Sequence, residues 1–90
     1  MRLDKFLKVT QLIKRRTMAN EAADEGFIKV NGNQAKPALK IKVGDILEID
    51  MWNYYKKIKV NDLPSRNSIP KADLDKYIET IEYKTKEPEF

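Results

Sequence analysis

The chain has 90 residues, 41% of them hydrophobic and 36% charged, and a net charge of +4. That composition describes one small globular domain with a modest core, burying about 60–65% of its unfolded surface, and it excludes a disordered chain. With no Cys and no His, there is no disulfide, no thiolate, no zinc–thiolate centre and no imidazole base, so most enzyme mechanisms lose their usual side chains and a non-catalytic role is expected.

The charge is unevenly spread. Arg2, Lys5, Lys8, Lys14, Arg15 and Arg16 stand in the first twenty residues against Asp4 alone. Residues 67–90 carry four lysines against six acids. This asymmetry suggests that one end meets a polyanion. No apolar run is long enough to span a bilayer and no signal-peptide pattern opens the chain, so a cytoplasmic protein without membrane contact is expected.

A first helix is predicted over RLDKFLKV, where Leu3, Phe6, Leu7 and Thr10 follow the i, i+3, i+4, i+7 rule. Arg2, Lys5 and Lys8 share a neighbouring face. TQLIK reads as a connector with Leu12 and Ile13 buried. A second helix is predicted over RTMANEAADE, with an apolar seam of Met18, Ala19, Ala22 and Ala23 and with Thr17 as its cap. Gly26 suits the left-handed position after that helix. Glu21, Asp24 and Glu25 do not suit the C-terminal half of a helix dipole, so stability does not explain them.

Strands follow. FIKV alternates Ile28 and Val30 against Phe27 and Lys29, and NGN at 31–33 is a tight-turn signal. QAKPALKIK contains Pro37, which makes it an edge strand or an irregular segment. VGD at 43–45 reads as a turn, ILEIDM and YYKKIKV alternate as strands, and NDLPSRNSIPK reads as a linker. Leu74, Tyr77, Ile78 and Ile81 fit a helical seam, which predicts a C-terminal helix over 71–84 with a frayed end at KEPEF. The expectation is an α+β domain over 1–62, two helices on a small antiparallel sheet, then a linker and helical tail over 63–90.

The basic run reads either as a solvated face or as a phosphate surface. Arginine at a helix start opposes the dipole, so Arg15 and Arg16 favour the second reading, in which backbone amides and guanidinium forks hold phosphates. Asp4 either compensates the first helix's dipole or holds Arg16 in a fixed rotamer for RNA. Trp52, Tyr54 and Tyr55, beside Lys56, Lys57 and Lys59, either stack on unpaired bases or cover the core, with the core favoured. Asp73 and Asp75 have no nucleophile to serve, and the glycines form no phosphate-cradling loop.

RLDKFL, then RRTMANEAADEGFIKVNGNQAKPALKIKVGD, resembles the small RNA-binding domain named after small-subunit ribosomal protein S-four. That family's pattern runs R-L-D-x-x-L, S-R-x-x-A, V-x-V-N-G and G-D. The resemblance implies two helices packed on a small bent antiparallel sheet, with RNA bound by the helical surface. Arg2 and Asp4 match RLD, Arg16 matches the Arg of SR, and Asn31 and Gly32 match NG. Arg15 stands where the family often has a capping Ser, which moves the cap to Thr17 and adds a cation. With the basic run added to these matches, the residues expected to bind RNA are Arg2, Asp4, Lys5, Lys8, Lys14, Arg15, Arg16 and Thr17, with Lys36 after the NG turn.

Within that class the chain is similar to the RqcP-type stand-alone factors of ribosome quality control. A monomer without cofactors is expected. The similarity implies that it would bind large-subunit rRNA and peptidyl-tRNA on stalled large ribosomal subunits and support an RqcH-type tailing factor in adding C-terminal alanine. The alternatives are a heat-shock-type factor on large subunits, or a protein-interaction module that docks through the C-terminal helix.

Overall fold

The computed structural model describes residues 1–86. Helix α1 spans Leu3–Val9 and α2 spans Arg16–Asp24. Strands β1 (Ile28–Val30), β2 (Asn33–Gln34), β3 (Ile46–Asp50), β4 (Tyr54–Val60) and β5 (Ile78–Thr85) form one antiparallel sheet in the order β2-β1-β3-β4-β5.

The apolar spacing of α1 places Leu3, Phe6 and Leu7 fully inside. Thr10 is buried too, and its hydroxyl donates to the Phe6 carbonyl at 2.6 Å. Gln11 then takes a positive φ of 60° and ends the helical path. Ile13 is buried and Leu12 half-buried, as the connector predicts. In α2, Ala19, Ala22 and Ala23 pack inward, and their small size lets the two helices approach closely. Gly26, at φ +88°, donates to the Ala23 carbonyl while Phe27 donates to Ala22. Those two bonds make a Schellman stop, which needs the left-handed residue that glycine supplies.

β1 buries Ile28 and Val30 and exposes Lys29. Asn31 and Gly32 both have positive φ, 52° and 85°, the geometry of a tight hairpin turn into β2. Pro37 lies beyond the ladder, in an irregular segment that runs back to α1. Leu47 and Ile49 of β3 and Ile58 and Val60 of β4 complete the core. A register shift between Lys57 and Ile58 interrupts the β4–β5 ladder, and such irregularities bend a sheet.

Three expectations are corrected. First, the C-terminal helix does not exist: Lys71–Lys76 is a short 3-10 turn, and Ile78–Thr85 pairs antiparallel with β4 from Val60↔Ile78 to Tyr54↔Thr85. Ile78, Thr80, Ile81, Tyr83 and Thr85 are β-branched or aromatic and lose rotamer freedom in a helix. The seven-residue flank of β4 offers them a ladder of backbone partners. The frayed end expected at 86–90 lies, apart from Lys86, outside the described residues. Second, Met18 is not in the seam of α2 but 49% exposed. Third, Thr17 does not cap α2. Arg15 occupies the N-cap position with extended backbone and no side-chain cap bond, because an Arg side chain offers no acceptor.

Candidate nucleic-acid interface

Asp4 is the centre of the site. Its side chain is 3% exposed, and four donors converge on it. The Lys5 backbone amide (2.8 Å) and Arg16 Nη2 (3.5 Å) reach Oδ1, while Arg2 Nη2 (3.2 Å) and Asn20 Nδ2 (3.3 Å) reach Oδ2. Burial pushes the carboxyl's pKa up. The Asn20 and Lys5 hydrogen bonds and the Arg16 and Arg2 charges outweigh it, and the net shift is downward. Asp4 is therefore a carboxylate at neutral pH, buried because it is fully partnered.

The carboxylate holds one side of each guanidinium. Arg2 and Arg16 remain 48% exposed, so their other N–H groups face outward. Each guanidinium carries five donors, which leaves enough for a second, bidentate acceptor such as phosphate. Asp4, Arg16, Thr17, Asn20 and Glu21 line a shallow cleft there. Asp4 lies in the first turn of α1, where a carboxylate suits the dipole, and it contacts Arg2 as well as Arg16.

The two helix starts differ. At α1, Leu3 N–H donates to the Leu39 carbonyl, Asp4 N–H to Pro37 and Lys5 N–H to Asp4 itself, so its free amides are used up. At α2, the amides of Arg16, Thr17 and Met18 have no acceptor among the described residues, and all three residues are exposed. The positive end of the α2 dipole is therefore open to an anion, between Arg15 and Arg16.

The other candidates spread around this centre. Lys36 is exposed on the segment that closes the start of α1, and it lines a separate cleft with Lys40 and Lys42. Lys8 and Lys14 line a third cleft with Gln11 and Ser68. Gln11 Nε2 donates to the Ile69 carbonyl at 2.9 Å and ties the 61–70 segment to the end of α1. Lys5 is half-buried beside Asp4. Arg2, Asp4, Arg16 and Thr17 thus come together, with Lys8, Lys14 and Lys36 on neighbouring surfaces.

Asn20 was not singled out from sequence, although it lies one turn after Arg16 on the same helix face. The link between the two turn motifs was also missed. Asn31 Nδ2 donates to Asp45 Oδ1 (3.1 Å), Ile46 N–H donates to Asn31 Oδ1 (2.9 Å), and Asp45 Oδ2 accepts from Lys42 N–H (2.9 Å). NG and GD are thus two halves of one clasp that sets the path of the 36–42 segment.

The outer face of the sheet is charged but balanced. Lys29, Glu48, Lys57 and Glu82 stand opposite one another in register across four strands. Opposite charges in such positions stabilise the sheet and leave little net field for a polyanion. Tyr55 belongs to this face: its hydroxyl donates to Glu48 Oε2 at 2.6 Å, and chiefly that bond lifts its pKa to about 12. Tyr54 packs half-buried against the core. Trp52, expected to cover the core, is 80% exposed at the β3–β4 turn. The described residues contain no group of three or more acids that could hold a metal ion.

The S4 domain family matches residues 1–47. The chain is 48% identical to the RQC P-site tRNA stabilizing factor of Streptococcus pneumoniae, over 90% of each chain. It is 54% identical to the Bacillus subtilis factor of the same name, over 70% of this chain and 73% of the relative. Heat shock protein 15 of Vibrio cholerae superposes with a TM-score of 0.80, covering 89% of this chain and 80% of that one. At 21% identity that likeness shows the fold, two helices on a bent antiparallel sheet.

Proposed function

The chain belongs to the family of RQC P-site tRNA stabilizing factors and carries an S4 domain, and from that premise we propose that it holds peptidyl-tRNA on stalled large ribosomal subunits. The observation that carries this reading is the pair of arginines from two helices locked by buried Asp4 beside the open start of α2. Two pre-oriented guanidiniums and free amides suit phosphates held at fixed spacing, as in a folded RNA. Lys8, Lys14 and Lys36 add unspecific attraction around them.

The protein would work without bond chemistry. Contacting large-subunit rRNA and the tRNA together, it would keep the tRNA in place while an RqcH-type factor adds alanine to the nascent chain. Its place of work would be the cytoplasm, on the ribosome. The interaction-module reading loses its C-terminal docking helix, since those residues form a short 3-10 turn and then β5.

Co-sedimentation with large subunits carrying peptidyl-tRNA, over a salt series, tests the proposal. Arg2→Ala with Arg16→Ala should weaken binding at least tenfold and lower the salt slope by about 1.5–2. Undiminished binding by a folded double variant would exclude this face as the RNA contact.

A further inference from the structure

The flank of α2 that faces away from Asp4 borders a groove against the β3–β4 turn. Met18 (49% exposed), Phe27 (38%) and Trp52 (80%) wall it, and Ala22 and Tyr54 form its floor. Its volume is about 390 Å³. Isolated exposed apolar residues are ordinary; three large ones around a single groove mark a contact surface.

The rim carries the chemistry of the occupant. Glu21 and Glu25 line the groove from α2, with Lys14 at one end. Together with Asp24 they place three acids in the last five residues of the helix and its cap, where the dipole disfavours them. No basic residue stands in that last turn, and neither glutamate forms an ion pair among the described residues. Carboxylates that the fold does not need, beside apolar walls it does not bury, suit an apolar partner carrying positive charge. Glu21 also borders the Asp4 cleft, but Glu25 lines this groove alone, and no arginine joins it here, so a nucleic-acid strand suits this flank less well than the Arg2–Arg16 side.

We propose that this groove docks a basic amphipathic helix of a protein partner, its apolar side against Met18, Phe27 and Trp52 and its cations at Glu21 and Glu25. The inference stands on this flank alone and does not require the RNA reading of the other. Helix-in-groove docking of this type places two or three apolar anchors in a row and sets orientation by rim charge.

Trp52 is the only tryptophan, so its fluorescence reports the groove directly. The probe is a synthetic Leu/Lys helical peptide, titrated into the full chain. A saturable blue shift is expected, with affinity lowered about fivefold by Glu21→Gln with Glu25→Gln. Met18→Lys, on an exposed site, should abolish the shift. A matching Leu/Glu peptide that binds equally well, or no shift with either peptide, would overturn the proposal. So would a Trp52 response to oligouridine instead, which would make the site a base-stacking platform. A shift that grows with protein concentration alone would assign the groove to a second copy of the chain and would equally overturn it.

Discussion

Replacing Asp4 by asparagine keeps the shape of the side chain and removes its charge. A carboxamide has one acceptor oxygen, whereas both oxygens of Asp4 are used: Oδ1 by Lys5 and Arg16, Oδ2 by Arg2 and Asn20. The better orientation keeps the short Lys5 bond and turns an N–H₂ towards Arg2 and Asn20. Hydrogen bonds to a charged group contribute roughly 1.5–3 kcal/mol each, and the half-exposed Arg2 and water replacement reduce the sum to about 2 kcal/mol. For a domain of this size that lowers Tm by about 8–16 °C. The assay is thermal unfolding followed by circular dichroism, on wild type and Asp4→Asn, across pH. The folded pKa of Asp4 is lowered. Its contribution is therefore whole above the unfolded-chain value of about 3.9, and it is lost as pH falls through the folded value. The two melting curves should separate at about pH 7 and draw together as pH falls below the ordinary carboxylate range and through the lowered folded value. Coincident curves at neutral pH, or a gap that stays constant into acid, would refute the role given to this carboxylate.

The remaining expectations are more local. Gly26→Ala should cost about 1–2 kcal/mol in urea unfolding, because an L-residue is strained at φ +88°. The added Cβ would lie 2.7 Å from Gln34 Nε2, the end of a flexible side chain. Gln34→Ala should therefore restore little, and full rescue would move the cause from backbone to contact. Phenolate absorbance should show Tyr55 ionising near its raised pKa of about 12, and Glu48→Gln should bring it back towards 10.0. An unchanged titration would break the assigned hydrogen bond. A double-mutant cycle on Asn31→Ala and Asp45→Ala should give a coupling of about 0.5–1 kcal/mol, and strict additivity would mean that the clasp between the turns contributes nothing.

Much of the site was legible because charges stood where stability does not ask for them. Arg15 and Arg16 at a helix start, and Asp4 alone among cations, each pointed outside the fold's own needs. Asn20 escaped because a neutral amide leaves no charge anomaly, though its position one turn after Arg16 was readable. Periodicity gave β1, β3 and β4 correctly, where buried Ile28 and Val30, Leu47 and Ile49, and Ile58 and Val60 recur at every second position. It failed over 78–85, where Ile78 and Ile81 also complete a helical spacing, and the unpaired flank of β4 decided the outcome. Met18 and Trp52 failed for a common reason. An apolar residue at a core-like spacing is indistinguishable, in one sequence, from one left outside for a partner.

Helix α2 carries Arg16 and Asn20 on one flank and Met18 and Glu25 on another, with Glu21 bordering both. The azimuth of a single nine-residue helix therefore decides which molecule meets which side. Successive residues on a helix are about 100° apart, so a one-residue slip would swing glutamates towards Asp4 and arginine towards Trp52. The alanines at 19, 22 and 23 fix that phase by fitting only one rotation against the core. A larger side chain at any of them would change more than packing: it would turn the dial that keeps the two surfaces apart.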